Sequence, residues 1–271
     1  MQHMSDTEFE RTCTLISRVL GLEMRAKRVL LECRLTRERE RLELPSFTAY
    51  LNLIESGANP RAFQRFVDLV TTHYTYFMRE SSQFSFLEHV AFPELEQRIP
   101  ERPWKILCAG CSTGEEAYTL SMLVEEYSRS RSLPPVTIRA IDVSEPALEA
   151  ARRGIYSASH IDKVPLLWKS LYFSREGEQF RVVQSIRNRI TFQSAKLGDA
   201  NALRGSYDLI MCRNVLIYFT QDAKERALNQ LHRHLEPQGF LVLGHAEIAR
   251  DREKFTYEGN SIYRKQEASI R

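Results

Sequence analysis

No stretch of the chain approaches 18 consecutive apolar residues, so no membrane-spanning helix is expected. The first residues, Met1-Gln2-His3-Met4-Ser5-Asp6-Thr7-Glu8, hold no basic segment followed by an apolar core. No secretory signal is expected there, and the protein is expected to be cytoplasmic. Cysteine is sparse and odd in number: Cys13, Cys33, Cys108, Cys111 and Cys212 make a poor disulfide framework. Cys108 and Cys111 have Cys-x-x-Cys spacing, but no second close pair exists and no His-x-x-x-His sits nearby. The pair also straddles a glycine turn with another use, so no metal is expected. Glycine (11) and proline (10) are too few for a collagen-like or low-complexity chain. Excess charge is missing too: 38 basic against 35 acidic residues leave +3. That balance gives no bulk attraction for nucleic acid, and any acidic partner must be met by local clustering.

What is present is an ordinary folded chain of 271 residues, long enough for a main domain and a smaller one. Up to about residue 90 the pattern is helical. Thr7 is placed to cap a helix over 8–20 that stops at Gly21, and a second helix is expected over 26–42. Ser46 caps a third over 47–56, stopped by Gly57, and Asn59-Pro60 opens a fourth to about 72. A helix over 84–98 links this unit to the rest of the chain. After Pro103 the texture changes to strand (104–109), loop (110–114), helix (115–128), strand (136–141) and helix (146–153). Near-continuous apolar strands alternating with helices indicate a parallel sheet. Residues 155–189 break the rhythm and read as a small antiparallel insertion with a turn at Glu176-Gly177-Glu178. Strands are expected again at 190–193, 207–212 and 240–244, with a helix over 222–235 stopped by Pro237-Gln238-Gly239, and a final hairpin around Gly259-Asn260-Ser261.

The strongest segment is Leu107-Cys108-Ala109-Gly110-Cys111-Ser112-Thr113-Gly114-Glu115-Glu116. A buried strand enters a turn with two glycines and leaves into a helix, where a ligand can approach the backbone closely. A phosphate loop would carry Gly-Lys-Ser, and a dinucleotide loop Gly-x-Gly-x-x-Gly; neither is present. Paired glutamates at the helix start disfavour pyrophosphate and favour a cationic or zwitterionic ligand such as S-adenosylmethionine. The second strand ends in Asp142, where an acid accepts ribose hydroxyls in nucleoside-binding sheets. A later strand delivers Arg213-Asn214, followed by Val215-Leu216-Ile217-Tyr218-Phe219. Arg213 can offer a planar fork to a ligand carboxylate or salt-bridge an acid of the first loop; Asn214 can line the site or cap the next turn. Arg79, in Thr75-Tyr76-Phe77-Met78-Arg79-Glu80, reaches the cleft if its apolar neighbours dock the linker on the sheet.

These segments resemble the chemotaxis receptor methyltransferases, glutamate O-methyltransferases of the CheR type. The matching text is residues 71–80 (TTHYTYFMRE), 108–120 (CAGCSTGEEAYTL), 140–144, 151–156, 208–219 (DLIMCRNVLIYF) and 235–247 (LEPQGFLVLGHAE), in order over nearly the whole chain. The resemblance implies a helical N-terminal domain (1–90, including the linker start) and a Rossmann-like class I methyltransferase domain (91–271) with a β-subdomain inserted at about 160–189. It implies S-adenosylmethionine as methyl donor, S-adenosylhomocysteine as product, and glutamates on receptor cytoplasmic helices as acceptors. Cofactor-binding positions carried over are His73, Thr75, Arg79, Ala109, Gly110, Glu115, Asp142, Lys196, Leu197, Arg213 and Asn214; catalytic ones are Arg79, Arg213 and Tyr218. His73 and Lys196 stand where the family often has asparagine, so the Lys196 backbone or a neighbour such as Gln193 or Asp199 must take over that contact.

A glutamate carboxylate is ionised near pH 7, so such a transfer needs in-line positioning and no general base. A basic face of the second helix (Lys27, Arg34, Arg37, Arg41) is expected to meet acidic receptor helices. The short Arg175-Glu176-Gly177-Glu178 turn suggests independence of a receptor tether peptide. An amine or RNA methyltransferase would carry Asn/Asp-Pro-Pro-Tyr where this chain has Arg213-Asn214-Val215-Leu216, and a non-catalytic cofactor-binding scaffold is the other rival.

Overall fold

The computed structural model describes residues 3–267. The chain starts with four helices: α1 (Asp6–Leu20), α2 (Arg28–Arg41), α3 (Phe47–Ser56) and α4 (Pro60–Val70). Ser5, not Thr7, caps α1: the Glu8 amide donates to Ser5 Oγ (3.2 Å) and the Ser5 amide to the Glu8 carboxylate (3.0 Å). This reciprocal box starts the helix two residues earlier than expected. The helix expected over 26–42 begins instead with a 3₁₀ turn, Arg25–Lys27. Phe9, Ile16, Leu31, Leu35, Tyr50, Leu51, Phe66 and Val70 fill the core of this unit, against which Val143, Tyr218 and Phe219 of the later chain also pack.

The helix expected over 84–98 starts earlier. It runs as α5 (Ser81–Phe86), a π-helical turn (Leu87–Ala91) and α6 (Phe92–Arg98). Pro93 in the first turn of α6 has no N–H to give the preceding turn, which accounts for the widened step. Phe84, Leu87, Phe92 and Leu95 of this segment join Trp104 in the core of the sheet, not in that of the helical unit. A division at residue 90 would therefore cut through one continuous helix.

The α/β part comes next: β1 (Trp104–Ala109), α7 (Glu115–Ser128), β2 (Val136–Asp142), α8 (Glu145–Arg153), β3 (Ile155–Ser157), α9 (Leu166–Tyr172), β4 (Phe173–Glu176), β5 (Gln179–Val182), α10 (Gln184–Arg187), β6 (Ile190–Ser194), β7 (Tyr207–Cys212), α11 (Gln221–His234), β8 (Leu235–Leu243), β9 (Phe255–Gly259) and β10 (Ile262–Lys265). The main sheet has the order β6-β2-β1-β7-β8-β10-β9, parallel from β6 to β8, with β10 and β9 antiparallel at the edge. The fold is thus a Rossmann-like α/β core with a helical domain before it. The insertion is a separate antiparallel sheet, β3-β5-β4, that also carries α9.

One expected stop is misplaced. Pro237-Gln238-Gly239 does not end α11; Leu235 already turns extended, and the three residues lie inside β8. The register against β7 slips there and Gln238 has φ 59°, so they form a bulge within the strand.

The strand order reverses direction at β1, with β2 and β6 on one side and β7 and β8 on the other. Ligands of open parallel sheets sit at such a point, outside the carboxyl ends of the strands. The helical domain closes this end. Gln64 Nε2 donates to Val143 O (3.0 Å), Glu23 N to Tyr218 O (2.8 Å), and Thr220 N to Gly21 O (2.7 Å). Gly21 has φ 74°, and a Cβ there would lie 2.6 Å from the Ala223 Cβ, so this contact requires glycine.

Candidate functional site

A cleft with about 1020 Å³ of empty space, open solvent included, lies at the switch point. It draws on the linker (His73, Thr75, Arg79), the glycine loop (Gly110, Ser112), the first turn of α7 (Glu116), the β2 end (Asp142), the loop after β6 (Lys196, Leu197) and the loop after β7 (Arg213, Asn214, Tyr218). The helical domain adds Leu20, Leu22 and Met24.

Two sequence-expected residues do not reach this wall. Ala109 is fully buried within β1. Glu115 is buried beside the loop, where its carboxylate accepts from Thr113 Oγ1 (2.6 Å). Burial raises its pKa. Its neighbour Glu116, one residue or about 100° further round the helix, faces the cleft instead.

The glycine loop is held by the β2 end. Gly110 N and Cys111 N both donate to Ile141 O (2.8 and 2.9 Å). Ser112 N donates to Asp142 Oδ2 (2.8 Å) and Ser144 N to Oδ1 (3.0 Å). Each Asp142 oxygen keeps a further lone pair for a ligand hydroxyl. Gly110 has φ 77°, and a Cβ there would meet Val215 Cγ2 at 2.3 Å. Glycine at this position therefore admits the loop that carries Arg213 and Asn214. Ser112 Oγ donates to His73 O (3.1 Å), tying the linker to the glycine loop, while the His73 ring bonds Thr71 Oγ1 (2.9 Å).

Arg213, its side chain 1% exposed, is the hub of the polar wall. Its guanidinium lies 3.1 Å from Glu116 Oε2 and 3.3 Å from Glu80 Oε2, and it donates to Arg79 O. Glu80 also accepts from Asn214 Nδ2 (3.3 Å), and the other Glu116 oxygen accepts from the Cys108 thiol (3.2 Å). Two carboxylates thus compete for one guanidinium. Burial raises the Glu116 pKa, and Arg213 works against that rise. The Arg213 Nε has no hydrogen-bond acceptor among the described residues.

Arg79 is held more loosely. It donates to Tyr74 O (2.9 Å) and stacks on Tyr74 and Tyr76 at 5.6 and 5.8 Å. Lys163 of the insertion also lies over the Tyr76 ring, at 4.0 Å, and Lys27 of the helical domain lies over Tyr218 at 4.3 Å. Of the suggested substitutes for Lys196, neither Gln193 nor Asp199 lines the cleft; Asp199 instead accepts from Asn201 N (3.1 Å).

The basic stripe of α2 does not survive folding intact. Arg34 donates to Leu69 O (2.8 Å) and Thr71 O (2.9 Å), closing the end of α4 where the linker begins. Arg41 pairs with Glu38 at 2.6 Å. Arg37 remains exposed.

Sequence reasoning missed Glu80 and Glu116 as parts of this site. Glu116 was one of two adjacent acids and Glu80 directly follows Arg79, so both signals were present without a way to assign a face. Among the described residues no group of three or more His, Cys, Asp and Glu is placed to hold a metal ion, and no helix is long and apolar enough to cross a membrane.

Comparison with known proteins gives two family matches. Residues 7–71 match the CheR methyltransferase all-alpha domain, and residues 73–263 the CheR methyltransferase SAM binding domain. A chemotaxis protein methyltransferase of Borreliella burgdorferi is 30% identical, covering 97% of this chain and 95% of that one. One of Salmonella typhimurium is 32% identical over 96% and 90%. Chemotaxis protein methyltransferase 2 of Pseudomonas aeruginosa is 32% identical over 90% and 88%.

Proposed function

The chain belongs to the CheR methyltransferase family, whose activity is S-adenosylmethionine-dependent methylation, and on that premise we propose that it esterifies glutamate side chains on the cytoplasmic helices of chemoreceptors. The products are glutamate methyl esters and S-adenosylhomocysteine, and the setting is the cytoplasm. The observation that carries this reading is the charge arrangement of the cleft, where Glu116 and Glu80 share a single buried guanidinium and Asp142 stands in the same lining.

The residues present fit the methyl donor. Asp142 has one backbone N–H on each oxygen and capacity left for two ribose hydroxyls. Glu116 and Glu80 exceed the charge of Arg213 and so favour a cationic ligand. Apolar Ile141, Val143 and Leu197 offer a surface for an adenine ring. When bound, S-adenosylmethionine supplies the electrophilic methyl group.

The acceptor carboxylate is already ionised near pH 7, with a pKa of about 4.3 when unperturbed, so no residue here has to remove a proton. The protein's task is alignment and exclusion of water. Arg213 spends its charge on Glu80 and Glu116 and acts by orienting them. Arg79, bonded among the described residues to a carbonyl and stacked on two rings, is a cation available to a carboxylate of donor or acceptor. A loose grip suits this role, because a tight bidentate clamp would stabilise the ground state as much as the transition state. Tyr218 lines the cleft and would border the sulfonium or hydrogen-bond the acceptor carboxylate. On the helical domain, Lys27 and Arg37 are the docking candidates.

The test is transfer of tritiated methyl to purified receptor cytoplasmic fragments, beside calorimetry of cofactor binding. Base-labile label is expected, as for a carboxyl ester. Base-stable label, or binding without transfer, would defeat the reading.

A further inference from the structure

Glu247 lies just beyond β8 and is 3% exposed. Its carboxylate makes no ion pair among the described residues and accepts four backbone N–H groups instead. Oε1 accepts from Leu216 (2.6 Å) and Ile217 (3.2 Å); Oε2 accepts from Asn214 (2.9 Å) and Gly244 (2.6 Å). Three of these donors belong to the segment after β7 that carries Arg213, Asn214 and Tyr218. That segment needs outside support. Asn214 sits at φ 58°, which a non-glycine residue adopts at a cost, and Leu216–Tyr218 is a single 3₁₀ turn whose own first amides have no partner within the turn. A buried charge is normally matched by an opposite one; here it is matched by backbone dipoles that all come from the site loop and from the strand end facing it.

Gly244 completes the arrangement. A Cβ at this position would stand 2.7 Å from Asn214 Nδ2, 2.8 Å from Asn214 N and 2.9 Å from Glu247 Oε2. The strand end is therefore kept bare so that loop and carboxylate can meet.

We infer that Glu247 is a positioning residue for the methyl transfer: it acts through the amides of Asn214, Leu216 and Ile217 to fix Asn214 and Tyr218 against the cleft. The inference rests on the proposed methyltransferase function. The same loop is also braced by Val215 against Gly110, by the Tyr218 carbonyl accepting from Glu23 N (2.8 Å), by Arg213 on Glu80 and Glu116, and by Asn214 Nδ2 donating to Glu80 (3.3 Å), but it is Glu247 that takes the backbone amides of Asn214, Leu216 and Ile217.

The experiment uses the full chain with a receptor cytoplasmic fragment as acceptor. Glu247→Gln keeps the shape but turns an NH₂ toward backbone N–H groups. At saturating cofactor, turnover per folded molecule should fall about tenfold or more, with KM for the receptor changed less than about threefold. Glu247→Asp, which retains both oxygens, should recover part of the loss. Because removal of a buried carboxylate can unfold a protein, Gly244→Ala serves as a second variant that displaces the same carboxylate while keeping its charge, and the same fall in turnover is expected. Hydrogen exchange needs no acceptor: the Asn214, Leu216 and Ile217 amides should be protected in the parent and exchange at least about tenfold faster in Glu247→Gln. Parent-level turnover per folded molecule in either variant, or unchanged exchange at those amides, overturns the inference. A parent chain that methylates no receptor fragment overturns the receptor reading instead, and the exchange result then decides the role of Glu247.

Discussion

Arg213 Nη1 lies 3.1 Å from Glu116 Oε2, joining the end of β7 to the first turn of α7 within the buried wall of the cleft. Glu80 shares the same guanidinium, and its charge also pushes the Glu116 pKa up. A sulfonium or ammonium placed nearby favours the ionised form of Glu116. Binding of S-adenosylmethionine should therefore release a fraction of a proton at mildly acid pH, and affinity should rise with pH through the elevated carboxyl range above 4.5. The ligand-free chain has the opposite sign. A carboxyl whose folded-state pKa is raised adds stability below its unfolded value and loses it as pH climbs through the folded one. Calorimetry in two buffers of different ionisation heat measures the release. Equal heats in both buffers, or a Glu116→Gln variant with the same pH profile as the parent, would remove Glu116 from this role.

Tyr218→Phe should lower turnover about tenfold, equivalent to about 1.4 kcal/mol of barrier, with little change in cofactor affinity. The Lys27 ammonium stacks on the ring face, which phenylalanine retains, so the wall should stay in place when the hydroxyl is lost. Single-turnover methyl transfer at saturating cofactor isolates the step. A variant as fast as the parent would leave the ring as wall only.

Gly110→Ala should destabilise the chain by about 1–3 kcal/mol, since the residue is at φ 77° and its new methyl would stand 2.3 Å from Val215 Cγ2. Gly177→Ala is the control: it has φ 62° but nothing within 4 Å of an added Cβ, so only the backbone cost of about 1 kcal/mol applies. Adding Val215→Ala to Gly110→Ala should return part of the loss. Urea denaturation of the parent, the two single variants and the double variant gives the coupling, and strict additivity would show that the two side chains do not meet.

Much of the fold could be read from the sequence because its signals were local. Buried runs bounded by turns marked β1 and β7 at their observed limits, Trp104–Ala109 and Tyr207–Cys212, and glutamates at a helix start marked α7. What could not be read was long-range or rotational. Glu115 and Glu116 differ by about 100° on one helix, and only the packed sheet decides which faces the cleft. Arg213 was open to two readings, and its partners come from residues 80 and 116. The carboxylate of Glu247 is placed by the pairing of β7 with β8, which nothing near residue 247 announces. Pro237-Gln238-Gly239 read as a stop because bulges and turns use the same residues.

The basic stripe of α2 is where helical spacing misled most, and it yields a prediction that separates fold from docking. Spacing puts Lys27, Arg34, Arg37 and Arg41 on one side, but the acceptors of Arg34 lie 35 and 37 residues away, at Leu69 and Thr71. Arg34→Ala should therefore destabilise the helical domain by about 1–3 kcal/mol, because two half-buried carbonyls at the end of α4 lose a charged donor. It should also loosen the linker that leads to His73 and Arg79, weakening cofactor binding. Arg37 is exposed, and Arg37→Glu should leave both thermal stability and cofactor affinity unchanged. If α2 meets an acidic receptor helix, Arg37→Glu should instead raise KM for the receptor several-fold at low salt, with the difference shrinking as ionic strength approaches about 0.5 M, where the Debye length falls to a few ångströms. Methylation kinetics at two salt concentrations decide the matter. A KM for Arg37→Glu equal to the parent's at low salt would take α2 out of the receptor interface, whatever Arg34→Ala does.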